Sequence, residues 1–306
     1  MVLAAHIYDS LDSARLNFVT VNGYKTRYYD DGSGDPFVLF HGGQYGSLYS
    51  LDSWSLALPR LAERFRVIAV DKPGQGYTDN PSSADLYTFE ELMAHSICFI
   101  EAVVGGPAHL AGHSRGGLLI AAIALARPDL VKSLVIVSSA TLSPEDPIHP
   151  GGMLYQEAAR LTPPGPPTLS SVRIEPDLQA FNREQVTDDF VARLLETATQ
   201  PKFQEAQAAM AGEAGPIWAA SLAANKAKTL AEIAERGLRV PTMHVWGAND
   251  KSWYTPLGLR LFDIIREKTP KSCAHVVNQS GHYVFREQTD EFVRMCELWC
   301  LGAAAS

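Results

Sequence analysis

The sequence predicts an α/β fold, with a mostly parallel central sheet and helices on both faces. The runs PFVLFHGG, FRVIAVDKPG, AHLAGHS and SLVIVSSAT are short and continuously apolar, and each leads into Gly, Asp or Ser. Strands buried on both faces read this way, whereas a sheet with one wet face alternates. Between these runs, SWSLALPRLAERF, TFEELMAHSICFIEAVV and GGLLIAAIALARPDLV carry apolar residues three and four apart, the spacing of an amphipathic helix. Strand, helix, strand in repetition implies parallel pairing.

Before this alternation begins, LNFVTVNG and YKTRYYDDG are two strand-like runs broken at Asn22-Gly23, a hairpin signal. After it, from Leu142, the pattern changes. SPEDPIHPGG and LTPPGPPTL lead into the helical stretch TDDFVARLLETATQPKFQEAQAAMAG. The alternation resumes at RVPTMHVWGAND and CAHVVNQSGH and closes with the helix DEFVRMCELWCLG. Residues 1–141 and 237–306 are therefore expected to form one core domain. Residues 142–236 are expected to be a helical lid inserted between two strands of its sheet, because the chain returns to that sheet afterwards.

The chain has 306 residues, 46% of them hydrophobic, with 26 Lys and Arg against 34 Asp and Glu and a net charge of -8. Such a chain folds around a sizeable core, and its field disfavours polyanions, so no nucleic-acid partner is expected. MVLAAHIYDSLDSAR has no cationic stretch ahead of an apolar one, and no run approaches the roughly 18 apolar residues of a membrane span. A cytoplasmic protein without a membrane partner is the expectation. Cys98, Cys273, Cys296 and Cys300 show no C-x-x-C spacing, so neither a metal site nor a disulfide is called for. A homodimer is the default among soluble oligomers.

The motif that carries chemistry is Gly112-His113-Ser114-Arg115-Gly116, which fits G-x-S-x-G between an apolar strand and an apolar helix. In such a turn, side chains at 112 and 116 would strike neighbouring backbone while the serine hydroxyl stays exposed. A serine is a weak nucleophile without a base, and the base needs a group to orient it. A carboxylate and a histidine should therefore follow, each at the end of a strand. Asp250 in VWGAND and His282 in QSGHYVF meet both conditions. Asn249 carries no charge, and Asp263 and Asp290 fall in helical stretches. His6, His95, His149 and His275 read as structural or surface residues, and His109 and His244 as buried strand residues. The oxyanion of acyl transfer needs backbone donors; the N–H groups of Arg115 and Gly43 are the candidates, with Gly42 and Gly43 allowing close approach of substrate. No cofactor and no metal are required.

HGG, DKPGQGYTDNP, GHSRGG, GANDKSW and SGHYVF, in this order, resemble the α/β-hydrolase fold over nearly the whole chain. Epoxide hydrolases and haloalkane dehalogenases of that fold carry aspartate where Ser114 stands. Within the fold the chain resembles the meta-cleavage product hydrolases, which break a carbon–carbon bond in 2-hydroxy-6-oxo-dienoates from aromatic degradation. TDDFVARLLETATQPKFQEAQ looks like their lid helix. The resemblance implies that Arg193 binds the substrate carboxylate, a task suited to a guanidinium. It also implies a small-molecule organic substrate held near His113 and Tyr283, with Gln44, Tyr45 and Tyr49 of the longer HGG loop available to line the pocket. Those enzymes usually place Asn, Asn and Trp where this chain has His113, Leu56 and Tyr283. Trp218, Met153, Leu154 and Tyr155 either face the pocket or pack within the lid. A carboxylesterase or lactonase would use the same triad without Arg193, and a noncatalytic ligand receptor would not need the triad at all.

Overall fold

The computed structural model describes residues 9–145 and 152–304; His6 and His149 lie outside the described residues. Eight strands form one sheet: β1 (Leu16–Val21), β2 (Tyr24–Gly32), β3 (Pro36–Phe40), β4 (Arg66–Val70), β5 (Ala108–His113), β6 (Val131–Val137), β7 (Thr242–Gly247) and β8 (Ser272–Val277). Their order is β1-β2-β4-β3-β5-β6-β7-β8. The pairs β1–β2 and β2–β4 are antiparallel and every other pair is parallel. The hairpin at Asn22-Gly23 and the parallel sheet are both as the sequence predicts.

The helices are α1 (Leu58–Leu61), α2 (Phe89–Phe99), α3 (Arg115–Ala126), α4 (Met153–Leu161), α5 (Leu169–Val172), α6 (Ile174–Gln179), α7 (Asp188–Ala198), α8 (Pro201–Ala211), α9 (Ala214–Arg236), α10 (Thr255–Lys268), α11 (Val284–Glu287) and α12 (Thr289–Ala304). Helices cover both faces of the sheet, which is why β5 is buried along its whole length. One core cluster gathers Phe37, Trp54, Phe285 and Phe292. The other gathers Val38, Leu110, Leu118 and Ile136 on the opposite face. Alternate residues of each strand thus feed opposite layers.

The stretch Ser53–Phe65 departs from the expected single helix. It contains the end of a 3-10 turn and only the short α1, with Pro59 in its first turn. Proline lacks the N–H and clashes with a preceding turn, so a helix can start there but cannot run through it. Helices α4 to α9 lie between β6 and β7, where the insertion was expected. Helix α9 starts beside the cavity described below, but its Ile233 is in the core cluster, and the helix packs on α2, α3 and α10. Val172 of α5, Phe190 of α7 and Phe203 of α8 belong to the other core cluster, so the segment 142–236 packs into the core through several of its helices. Cys296 and Cys300 are free and buried on α12. Among the described residues no helix is long and apolar enough to cross a membrane.

Candidate active site

Phe40, Gly112 and Ile136 stand in register on adjacent strands, so β3, β5 and β6 end together. The loops leaving them converge at the carboxyl edge of the sheet, the usual place for a site in a parallel fold. Ser114 is the one residue between β5 and α3, with φ 54 and ψ -118. A non-glycine residue is held in that region only by its surroundings. Here its N–H donates to Val137 O at 2.9 Å, and its carbonyl accepts from Gly117 N–H at 2.9 Å and Ser139 Oγ at 2.6 Å. The flanking glycines are obligatory: a Cβ on Gly112 would lie 2.2 Å from Gly116 O, and one on Gly116 2.4 Å from Phe40 O.

Asp250 follows β7 and His282 follows β8. The His282 Nδ1–H donates to Asp250 Oδ2 at 2.8 Å, and both side chains are almost fully buried. Asp250 Oδ1 also accepts the Ser252 N–H at 2.8 Å. With Nδ1 engaged, Nε2 is the nitrogen left for Ser114, and Ser114 and His282 line one cavity. The histidine loop is tied to the helical insertion. His282 N–H donates to Gln179 O at 3.1 Å, and the Glu287 carboxylate accepts the N–H groups of Gly281, Tyr283, Phe181 and Asn182.

The His41-Gly42-Gly43 loop leaves β3 beside the serine. A Cβ on Gly42 would sit 3.1 Å from Ser114 Cβ, and Gly43 has φ +77, a conformation favourable only to glycine. Gly42 O accepts from His41 Nδ1 at 2.8 Å, from Lys72 Nζ at 3.2 Å and from Gln75 Nε2 at 3.3 Å.

Two chambers meet at Ser114, Arg115, Gln44 and Tyr155. The larger, of about 1090 Å³, is walled by Met210, Trp218, Leu222 and Trp253. The smaller, of about 260 Å³, is walled by Tyr49, Glu175, Gln179 and Tyr283 besides the catalytic candidates. Tyr49 donates to Glu175 Oε1 at 2.9 Å, and Tyr283 donates to Tyr49 at 2.8 Å and also lies against the Gln179 side-chain amide. Burial raises the Glu175 carboxyl above its ordinary value, against the lowering effect of the Tyr49 hydrogen bond and the Arg115 charge. Among the described residues no cluster of His, Cys, Asp or Glu could hold a metal ion.

The chain that carries this serine turn and Asp–His pair matches, over residues 37–295, the family model described as "Alpha/beta hydrolase family". The chain belongs to the alpha/beta hydrolase family. This hydrolase is 30% identical to the 2-hydroxymuconate semialdehyde hydrolase of Pseudomonas sp. strain CF600 over 273 residues, 89% of each chain. It is 29% identical to the 2-hydroxy-6-oxo-2,4-heptadienoate hydrolase of Pseudomonas putida over 277 residues, covering 90% of this chain and 93% of that one. A solved meta-cleavage product hydrolase from Pseudomonas fluorescens superposes with a TM-score of 0.73 at 27% identity, covering 92% of this chain and 97% of that one.

Two expected substrate contacts of the hydrolase are corrected by the structure. Arg193 is half-exposed on α7 and pairs with Glu196 at 2.7 Å, and it lines neither chamber. The buried stripe of α7 runs through Phe190, Val191 and Leu194, which leaves Arg193 on its solvent edge. Tyr45 is also outside the chambers: it is buried against Tyr87 and Trp218, and its hydroxyl donates to Thr88 O at 2.9 Å. Gly42, Gly43, Gln44, Tyr49, His113 and Tyr283 do line the smaller chamber. His113 is committed elsewhere, since its Nε2–H donates to His282 O at 3.0 Å. Burial and the neighbouring His282 hold it well below the ordinary histidine value. Trp218 and Tyr155 face the cavity, whereas Met153 is 68% exposed and Leu154 lines neither chamber.

Sequence reasoning missed Glu175, Gln179, Lys72 and the side chain of Arg115. The sequence points only to the Arg115 backbone N–H, yet the side chain lines both chambers and its buried Nε has no hydrogen-bond partner among the described residues. The signal available was position, because the residue after the serine begins the helix at the mouth of the site.

Proposed function

We propose that this hydrolase cleaves a carbon–carbon bond in a 2-hydroxy-6-oxo-dienoate, with Ser114, His282 and Asp250 as the triad and Gly43 and Arg115 N–H groups as the oxyanion hole. The observation that carries the reading is the hydrogen-bonded Asp250–His282 pair sharing a chamber with Ser114, in a chain whose full-length relatives bear dienoate hydrolase names. The substrate enol first becomes a ketone, its hydroxyl proton moving to C5. Ser114, or a water in its place, then attacks the C6 carbonyl while His282 takes the proton. Collapse of the oxyanion breaks the C5–C6 bond. The electron pair passes through the C3–C4 double bond to the C2 ketone, and His282 returns the proton. Where serine attacks, water then releases the acid from Ser114.

The carboxylate assigned to Arg193 goes instead to the Arg115 guanidinium. Arg115 lines the cavity and its buried Nε has no hydrogen-bond partner among the described residues, whereas Arg193 points away and is neutralised by Glu196. Helices α4, α8 and the start of α9, within the segment 142–236, act as the lid, and the larger chamber takes an apolar side group.

The outward position of Arg193 favours ester or lactone hydrolysis as a second reading. Product analysis separates the two. Incubation with 2-hydroxy-6-oxo-6-phenylhexa-2,4-dienoate should release benzoate and 2-hydroxypenta-2,4-dienoate in equal amounts. Rapid cleavage of p-nitrophenyl acetate with the dienoate recovered intact would leave only the ester reading.

A further inference from the structure

Lys72 is the second residue of the loop after β4, and it is 1% exposed. A buried ammonium is expensive unless something compensates it, and the usual compensation is a carboxylate. Among the described residues Lys72 has no such ion pair. Its neighbour Asp71 is occupied by Arg27 Nε at 2.6 Å, by Leu51 N–H at 2.7 Å and by Tyr77 N–H at 2.8 Å. The Lys72 Nζ instead donates to Gly42 O and Gly43 O, each at 3.2 Å. A cation buried at such cost and spent on two carbonyls of one loop acts on that loop.

The peptide geometry says how. In a planar trans peptide the carbonyl of one residue and the N–H of the next point in opposite directions. Drawing the Gly42 carbonyl down to Lys72 therefore turns the Gly43 N–H the other way, away from the loop's underside. Drawing the Gly43 carbonyl down does the same for the next N–H. The positive charge also sits against the loop that carries the Gly43 N–H, in a dry site where electrostatic effects are strong.

We infer that Lys72 is a positioning residue for the oxyanion hole: its buried ammonium holds the Gly42 and Gly43 carbonyls and turns the Gly43 N–H toward the reacting carbonyl. This inference rests on the triad reading but not on the identity of the carbon–carbon substrate. The hold is strongest while Lys72 is protonated. The charged and titratable groups facing it are Asp71 from its own loop, His41 from the end of β3, His113 from the end of β5 and Arg115 from α3. Burial and the Arg115 charge pull the Lys72 amine down from 10.5 to about 7, with Asp71 opposing. His41 and His113 are kept neutral by burial and add no countercharge. Lys72 thus loses its proton within the working pH range, and turnover should fall as it does.

The test is the pH profile of kcat/KM for p-nitrophenyl acetate, read at the isosbestic wavelength, in wild type, Lys72→Met and Lys72→Arg. Wild type should fall on an alkaline limb near pH 7 assigned to Lys72. Lys72→Met should lie about 10-fold below wild type at the optimum, less than the loss of a whole oxyanion donor because His41 and Gln75 still hold Gly42 O. It should also lack the falling limb. Lys72→Arg, charged at every pH used, should recover part of the rate and also lack that limb. A wild-type profile flat from pH 7 to 9 would overturn the inference even if neither variant folds. So would a falling limb that survives unchanged in Lys72→Met. Loss of the triad reading would show separately, as undiminished ester turnover in Ser114→Ala.

Discussion

Glu287→Gln should unlock the loop that carries His282. The Glu287 carboxylate accepts Phe181 and Asn182 N–H at 2.8 Å each through Oε2, and Gly281 and Tyr283 N–H at 2.9 and 3.3 Å through Oε1. The residue is 6% exposed, so water cannot replace these bonds. Glutamine is isosteric but has one acceptor oxygen, and its NH2 would face two of the four donors. A hydrogen bond to a charged group contributes about 1.5–3 kcal/mol, so losing two removes roughly 3–6 kcal/mol. That is a large part of the ~5–15 kcal/mol that holds a domain together. At about 2–4 °C per kcal/mol in a protein of this size, the thermal midpoint should fall on the order of 10 °C. Differential scanning fluorimetry measures the midpoint, and ester turnover at 25 °C on the remaining folded protein measures the effect on His282. A shift under 2 °C with full turnover would refute the claim that this carboxylate ties the insertion to the histidine loop.

Asp250→Asn should leave the fold intact and lower kcat by about 10⁴, because the amide favours the wrong His282 tautomer; near-normal kcat in a protein with an unchanged circular dichroism spectrum would move the acid elsewhere. Arg115→Gln should lower the kcat/KM ratio of mono-p-nitrophenyl glutarate to p-nitrophenyl valerate by roughly 10–100-fold, the worth of a charge-assisted pair. Any disturbance of the oxyanion hole cancels in that ratio. Arg193→Gln should not change the ratio, and the reverse ranking of the two variants would restore Arg193 as the anchor.

The three residues proposed as the triad could be picked out because each is announced by local chain logic. Gly112 and Gly116 mark a turn too tight for side chains, and Asp250 and His282 each follow an apolar run that must be a strand. Tyr45 misled because its partner, Thr88 O, is far away in sequence. Arg193 misled because likeness of a helix does not specify its rotation; the clue to the contrary was Glu196, three residues on and in reach of a helical neighbour. Lys72 and Glu175 could not be found from residue type, since both are ordinarily surface side chains. Their burial is set by how the loop after β4 packs under Gly42 and Gly43 and how α6 meets Tyr49. Apolar spacing over Ser53–Phe65 predicts one helix, but Pro59 carries the stronger steric constraint and leaves only the short α1.

Stopped-flow absorbance of 2-hydroxy-6-oxo-6-phenylhexa-2,4-dienoate mixed with wild type and with Ser114→Ala tests the account's central claim most directly. The account predicts rapid loss of the dienolate band with wild type and a turnover lower by several orders of magnitude with Ser114→Ala, whose fold is unchanged. Equal decay with both proteins would contradict the assignment of Ser114, and a band untouched by wild type would contradict carbon–carbon hydrolysis.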